Sequence, residues 1–202
     1  MAFNNYTTLQ TAVVQWLKRA DLTDFVPDFI ALAEGQMSAD LDSRSMEARA
    51  TLSTTAGNAY VTLPTDMLEM LRLKITSTEP VAVLKYRSPD QIDDDYPRAS
   101  TGQSKVFTVI GSELQLAPVP DQAYTLELAY MQRIPALSAS NTTNWLLTNF
   151  PNVYVFGALK MAQPFILNDE RLPVFEKLYH DGIAAINSID WYSGSTLRVA
   201  AG

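Results

Sequence analysis

The sequence predicts an α+β fold: an antiparallel helical bundle formed by N- and C-terminal helix pairs, with an inserted antiparallel β-sheet lobe of about six short strands. Three observations carry this expectation. Apolar residues recur at helical spacing near both ends of the chain, they alternate with polar residues through the middle, and no internal repeat or low-complexity tract breaks that order. Neither terminal helix pair has an apolar stripe that can stand alone, so packing one pair on the other is the economical solution. The implied organisation is residues 1–50 as N-terminal helices, 51–140 as the β-rich lobe, 141–194 as C-terminal helices and 195–202 as an extended tail.

The first helix follows from "TTLQTAVVQWLKRAD", where Leu9, Ala12, Val13, Trp16, Leu17 and Ala20 make one stripe and Thr7 or Thr8 can cap the start. The second follows from "DFVPDFIALAEGQMSADLDSRSMEARA". Pro27 suits its first turn, and Phe29, Ile30, Ala33, Met37 and Leu41 form its stripe. Gly35 weakens this helix by about 1 kcal/mol unless it serves close packing.

Strands follow. "AYVTL" (59–63) ends at Pro64, and "LEMLRLKIT" (68–76) sets Leu71, Leu73 and Ile75 on one side with Met70, Arg72 and Lys74 on the other. "VAVLKY" (81–86) comes next, and then Ser88–Pro89 opens a short helical turn. "KVFTVIGSELQLAP" reads as a hairpin turning at Gly111–Ser112, and "YTLELAYMQ" (124–132) alternates Leu126, Leu128 and Tyr130.

The stretch "NTTNWLLTNF" (141–150) combines turn residues with bulky apolar ones. It predicts a structural corner in which Asn141 or Thr142 caps a short turn and Asn149 caps the helix that starts near Pro151. Trp145, Leu146, Leu147 and Phe150 are expected to plug the seam between lobe and bundle. The helix after Pro151 carries Val153, Tyr154, Phe156, Gly157, Leu159, Lys160 and Met161, and Pro164 should end or kink it. A last helix begins with an Asn168 cap and the acids Asp169 and Glu170, and buries Leu172, Phe175, Leu178, Tyr179, Ile183, Ile186 and Ile189 before Gly194 ends it.

Composition narrows the chemistry. The chain has 202 residues, an apolar content of 47% and no cysteine, which excludes disulfides, thiolate catalysis and cysteine metal sites. A single histidine, His180, argues against a multi-histidine metal centre. No cofactor motif is present: Gly-x-Gly-x-x-Gly, a Walker-type loop and Gly-x-Ser-x-Gly are all missing. The net charge of −7, with lysines and arginines scattered, lacks the footprint of a nucleic-acid grip. The start has no secretory pattern, and the longest apolar run, Val153 to Leu159, falls far short of the roughly 20 residues of a membrane span. The expectation is a soluble product or part of a soluble assembly. Asp90, Asp93, Asp94 and Asp95 read as a solvated acidic turn, although a carboxylate pair of this kind is what a cell-wall or polysaccharide hydrolase would use.

Three stretches carry a resemblance: "PDFIALAEGQMSADLDSRSMEARATL", "YVTLPTDMLEMLRLKI", and "ELQLAPVPDQAYTLELAYMQRIPALSASNTTNWLLTNFPNVYVFGALKMAQPF" with the following "DERLPVFEKLYHDGIAAIN". In this order they resemble the head-to-tail adaptor (connector) proteins of tailed bacteriophages, the group that includes the tail tubular A proteins. The resemblance spans roughly residues 25 to 190 and implies a structural, non-enzymatic virion protein of the head-tail neck. It implies a homo-oligomeric ring, usually dodecameric, beneath the portal protein ring and above tail or nozzle proteins. Genomic DNA would pass through the central channel without sequence-specific binding, with no cofactor, metal or membrane involved. A hydrolase, or a scaffold that visits the head and leaves, is the competing expectation.

Interface residues follow from that resemblance. The tail, with Ser195, Thr196, Leu197, Arg198 and Val199, is the first candidate for portal contact. Trp191 and Tyr192 either anchor the start of that tail or cover the subunit's own core. Arg44, Glu47 and Arg49, read at the end of the second helix, either pair between subunits or form a solvated helix end. If acids line the channel, they keep DNA phosphates from sticking.

Overall fold

A computed structural model describes residues 4–96, 100–165 and 170–189. These residues form a mixed α+β protein with six α-helices and two four-stranded sheets. The chain divides into two compact units: residues 1–46 with 134–202, which is helical, and residues 47–133, which holds the sheets.

In the helical unit, α1 (Tyr6–Leu17) starts on a reciprocal cap. The Thr8 amide donates to Asn5 Oδ1 at 2.9 Å, and the Asn5 amide donates to Thr8 Oγ1 at 3.1 Å. The expected cap at Thr7 or Thr8 therefore moves to Asn5, with Thr8 as its partner one turn in. Leu9, Ala12, Val13 and Leu17 are buried, while Trp16 sits at the margin with its ring edge-on to Phe156 and Phe175.

α2 (Val26–Asp40) has Pro27 in its first turn and buries Phe29, Ile30, Ala33 and Met37. It stops at Asp40, well short of the expected end near residue 50, and Leu41 is already extended. Side chains from the last helix explain the stop. Asn187 donates to the Asp40 carbonyl at 3.0 Å and accepts from the Asp42 amide at 3.0 Å, so the backbone groups freed at the helix end are satisfied. Tyr179 adds a hydroxyl donated to Asp40 Oδ2 at 2.9 Å.

The short α4 (Trp145–Asn149) leads through Phe150 into α5 (Pro151–Met161). α5 is apolar nearly all round, the mark of an interior helix. Val153, Tyr154, Val155, Gly157, Ala158 and Leu159 are all buried, and α5 packs on α1, α2 and α6. Gly157 is what allows the close approach, because a Cβ there would lie 2.5 Å from the Met37 methyl, 3.3 Å from the Tyr179 ring and 3.4 Å from Ala33 Cβ. Pro164 falls in a 3₁₀ turn just after α5 ends, as expected. α6 (Leu172–Ile189) buries Phe175, Tyr179, Ile183 and Ile186. Leu178 and Ile189 were expected in the same stripe but are 38% and 63% exposed, because they lie on its flank. The expected cap at Asn168, the acid at Asp169 and the stop at Gly194 lie outside the described residues.

Among the described residues the sheet unit has eight strands rather than about six: β1 (Glu47–Ser53), β2 (Tyr60–Thr62), β3 (Met67–Ile75), β4 (Ala82–Val83), β5 (Lys85–Tyr86), β6 (Val106–Ile110), β7 (Glu113–Ala117) and β8 (Thr125–Gln132). One sheet has the order β1-β8-β3-β4 and the other β2-β7-β6-β5. The segment "VAVLKY" is divided at buried Leu84, with β4 pairing to β3 and β5 to β6. The β5–β6 pair is parallel, so the expected all-antiparallel lobe is corrected at that edge. Residues 47–50, expected with the N-terminal helices, join 51–53 of the lobe in a full edge strand whose odd positions are exposed.

The two sheets close over one core. Leu73, Ile75, Leu126, Leu128 and Tyr130 face Val61, Phe107, Leu114 and Leu116. Bulges in β3 between Met67 and Glu69 and between Met70 and Arg72 change its alternation. Leu71, expected inward, is 48% exposed, and Met70 packs on the core instead. α3 (Pro89–Asp95) starts on a cap in which the Gln91 amide donates to Ser88 Oγ. Its Ile92 lies against Val106 and Ala117, on the face of the β6–β7 pair opposite to Phe107 and Leu116.

Candidate functional site

Two features stand out when chemistry is sought in each unit separately. The first is a buried polar cluster in the helical unit. Glu34 of α2 is 6% exposed, and its Oε1 accepts from the Leu137 amide at 2.9 Å and from the Tyr154 hydroxyl at 3.0 Å. Tyr154 in turn accepts from Asn144 Nδ2, which also donates to the Pro135 carbonyl at 2.8 Å. Asn144 Oδ1 caps α4 through the Leu147 amide at 2.8 Å. Asn144, not Asn141 or Thr142, is thus the cap in this corner, and no side chain caps α5 at Asn149. Within the corner Leu146 and Leu147 are buried, whereas Trp145 and Phe150 are half-buried.

The electrostatics suit structure better than reaction. Burial pushes the Glu34 carboxyl above its ordinary range, while the Leu137 amide and the Tyr154 hydroxyl pull it back. Burial and the Glu34 charge push the Tyr154 phenol far up. A phenol this hard to ionise is a hydrogen-bond donor, not a base. The cluster ties the segment 134–144 to α2 and α5.

The second feature is the outer face of the β1-β8-β3 sheet. Residues directly paired across strands share one face, so the register places Glu47, Met131 and Glu69 in one row. Arg49, Ala129 and Arg72 form the next row, and Thr51, Glu127 and Lys74 the one after. Lys74 Nζ pairs with Glu127 at 2.7 Å. The Lys74 bond first, and then the Arg49 and Arg72 charges among the rest, hold the Glu127 carboxyl below its ordinary range. Both arginines are exposed, and neither has an ion-pair partner of its own among the described residues. The face was not visible in sequence, because Arg72 and Arg49 become neighbours only through β8.

The remaining expected residues are dispersed. Arg44 lies in a 3₁₀ turn (Arg44–Met46), while Glu47 and Arg49 stand on β1, so none of the three is at a helix end of α2. The expectation was wrong because the alanines of "EARATLS" mask the alternation of an edge strand. Trp191, Tyr192, Ser195, Thr196, Leu197, Arg198 and Val199 lie outside the described residues. Asp90, Asp93, Asp94 and Asp95 are exposed along α3. His180 is exposed on α6, with Nε2 3.4 Å from Lys160 Nζ and 3.9 Å from a Glu176 oxygen. Among the described residues no group of three or more His, Cys, Asp or Glu could hold a metal ion, and no helix is long and apolar enough to cross a membrane.

Comparison with known proteins completes the picture. No curated protein matches the chain. The SU10 adaptor protein family matches it over residues 4–200. With that match spanning nearly its full length, the chain belongs to the SU10 adaptor protein family, in keeping with a phage head-to-tail adaptor.

Proposed function

We propose that this protein is the structural adaptor of a phage neck: a homo-oligomeric ring, dodecameric in the usual manner of connectors, seated beneath the portal ring. On this reading tail or nozzle proteins attach below it, and the genome leaves through its channel without sequence-specific contact. The observation that carries the proposal is the adaptor-family match across residues 4–200. The burial of Glu34, Tyr154 and Asn144 in a purely structural cluster supports a role without turnover. So does the filled interior around α5.

Several finer assignments belong to the same proposal. The N- and C-terminal helices act as one antiparallel bundle, with the β lobe inserted between them. The tail from Ser195 to Gly202 engages the portal, with Trp191 and Tyr192 anchoring its start. Arg44, Glu47 and Arg49 serve contacts between subunits. Electron microscopy of the chain mixed with the portal ring of its own phage tests the reading. A rotationally symmetric collar on the portal is expected. A chain that stays monomeric and never binds the portal would overturn it.

A further inference from the structure

A ring needs two unlike faces on each subunit that fit one another head to tail. The sheet unit presents such a pair on opposite sides of a single core. On one side is the outer face of β1-β8-β3, where Arg49 and Arg72 flank Ala129. With strands spaced about 4.8 Å apart, their Cα atoms stand about 10 Å apart, and only a methyl group lies between them. The neighbouring carboxylate, Glu127, is already paired with Lys74, so the strip of Arg49, Arg72 and Lys74 against Glu127 is left with excess positive charge. It is bounded by Glu47 and Glu69 on one flank and by uncharged Ser53 and Thr125 on the other.

On the other side of the core is α3, lying on the far face of β6 and β7. Ile92 points into the sheet. At about 100° per residue, Asp90 and Asp94 both fall about 160° round the helix from Ile92, on its crest, with Asp93 and Asp95 on the flanks. All four are exposed. An i, i+4 pair of carboxylates about 6 Å apart matches two guanidinium groups reaching inward from about 10 Å. The chain as a whole carries −7, so the anionic crest follows its average charge and the local cationic strip departs from it.

We propose that a second copy of this chain occupies the Arg49–Ala129–Arg72 face, and that it does so with the crest of its α3, Asp90 and Asp94. The inference rests on the ring reading and names the contact that propagates the ring. Because the two faces lie on opposite sides of one two-sheet core, each copy offers both, and the contact repeats until it closes. Charge pairing of this kind sets register and polarity: the acids Glu47 and Glu69 beside the arginines repel an α3 shifted by one row.

The absence of cysteine gives a clean test. The full chain carrying both Arg72→Cys and Asp94→Cys is oxidised mildly, alone and on the portal ring, and compared with each single variant. The double variant is expected to give a disulfide ladder running past the dimer, and neither single variant should. In a second arm Arg49→Glu with Arg72→Glu lowers self-association about a hundredfold, as like charges meet across the contact, and adding Asp90→Arg with Asp94→Arg restores most of it. A collar on the portal without a ladder overturns this contact and leaves the ring reading standing. A wild-type chain that forms no collar, together with a double variant that gives no ladder, overturns both. Dimers from Arg72→Cys alone would mean that the face meets its own copy, and would also overturn the proposal.

Discussion

Replacing Tyr154 by Phe removes one hydroxyl from the interior of the helical unit. The ring keeps its place, because Phe fills the same space, so the cost is polar and not a cavity. Asn144 Nδ2 retains the Pro135 carbonyl, and Glu34 Oε1 retains the Leu137 amide. What disappears is a hydrogen bond donated to a buried carboxylate, worth about 1.5–3 kcal/mol, together with the one that the hydroxyl accepts from Asn144 Nδ2. In a chain of this size that corresponds to a fall in Tm of roughly 3–12 °C.

The pH dependence is a sharper signature than the magnitude. Burial raises the folded pKa of Glu34 above its ordinary 4.5, and the Tyr154 hydroxyl opposes the rise. A carboxyl with a raised folded pKa binds more protons folded than unfolded. Its ionisation therefore takes stability away as pH climbs from 4.5 through the folded value. Without the hydroxyl the folded value moves further up, and the loss grows. The deficit of Tyr154→Phe should be larger above that window than below it. Urea unfolding followed by tryptophan fluorescence reads the correct unit, since Trp16, Trp145 and Trp191 all belong to its segments and residues 47–133 contain no tryptophan. A variant as stable as the wild type at neutral pH, or a deficit that grows toward acid, would refute the account of this cluster.

Three further outcomes are expected. Gly35 stands in α2 with nothing within 4 Å of an added Cβ, so Gly35→Ala should raise stability by about 1 kcal/mol in the same unfolding assay. Gly157→Val should lower it by about 1–3 kcal/mol or more, since its Cβ meets Met37, Tyr179 and Ala33; near-ultraviolet circular dichroism should show disturbed packing. Asn144→Ala removes the α4 cap, at a cost of about 1 kcal/mol, and also strips a donor from Tyr154 and Pro135; Asn144→Asp, which keeps the cap but not the donor, should recover only the first part on calorimetry.

How much of this was legible in the sequence depended on how local its cause is. The stripes Leu9–Val13–Leu17 and Phe29–Ile30–Ala33–Met37 announce their helices because burial repeats every turn. The β6–β7 hairpin announces itself through Gly111, which adopts a left-handed φ of 62° at the turn. β1 was hidden, because alanine at its inward positions 48 and 50 reads as well in a helix as in a strand. Leu71 pointed the wrong way in expectation because bulges leave no mark on a two-residue alternation. Glu34 looked like an ordinary polar position on α2, and its burial comes from a segment about a hundred residues further on, at Leu137. The Arg49–Arg72 row is of the same kind: it exists only through register on β8, which no window on the chain contains.

The pairing of β1 with β8 has one more consequence. These are the first and last strands of the sheet unit, and Glu47 stands directly opposite Met131. The chain leaves the unit two residues beyond that pair, so the points where it crosses in and out are within about 10 Å of each other. For the helical unit, the span between Met46 and Ile134 is equivalent to a gap that a short turn would bridge, whatever length of chain is carried beyond it. A lobe mounted on two adjacent strand ends is a detachable cassette in genetic terms. Recombination at residues 46/47 and 133/134 could exchange it whole, leaving α1, α2, α5 and α6 to fold as before.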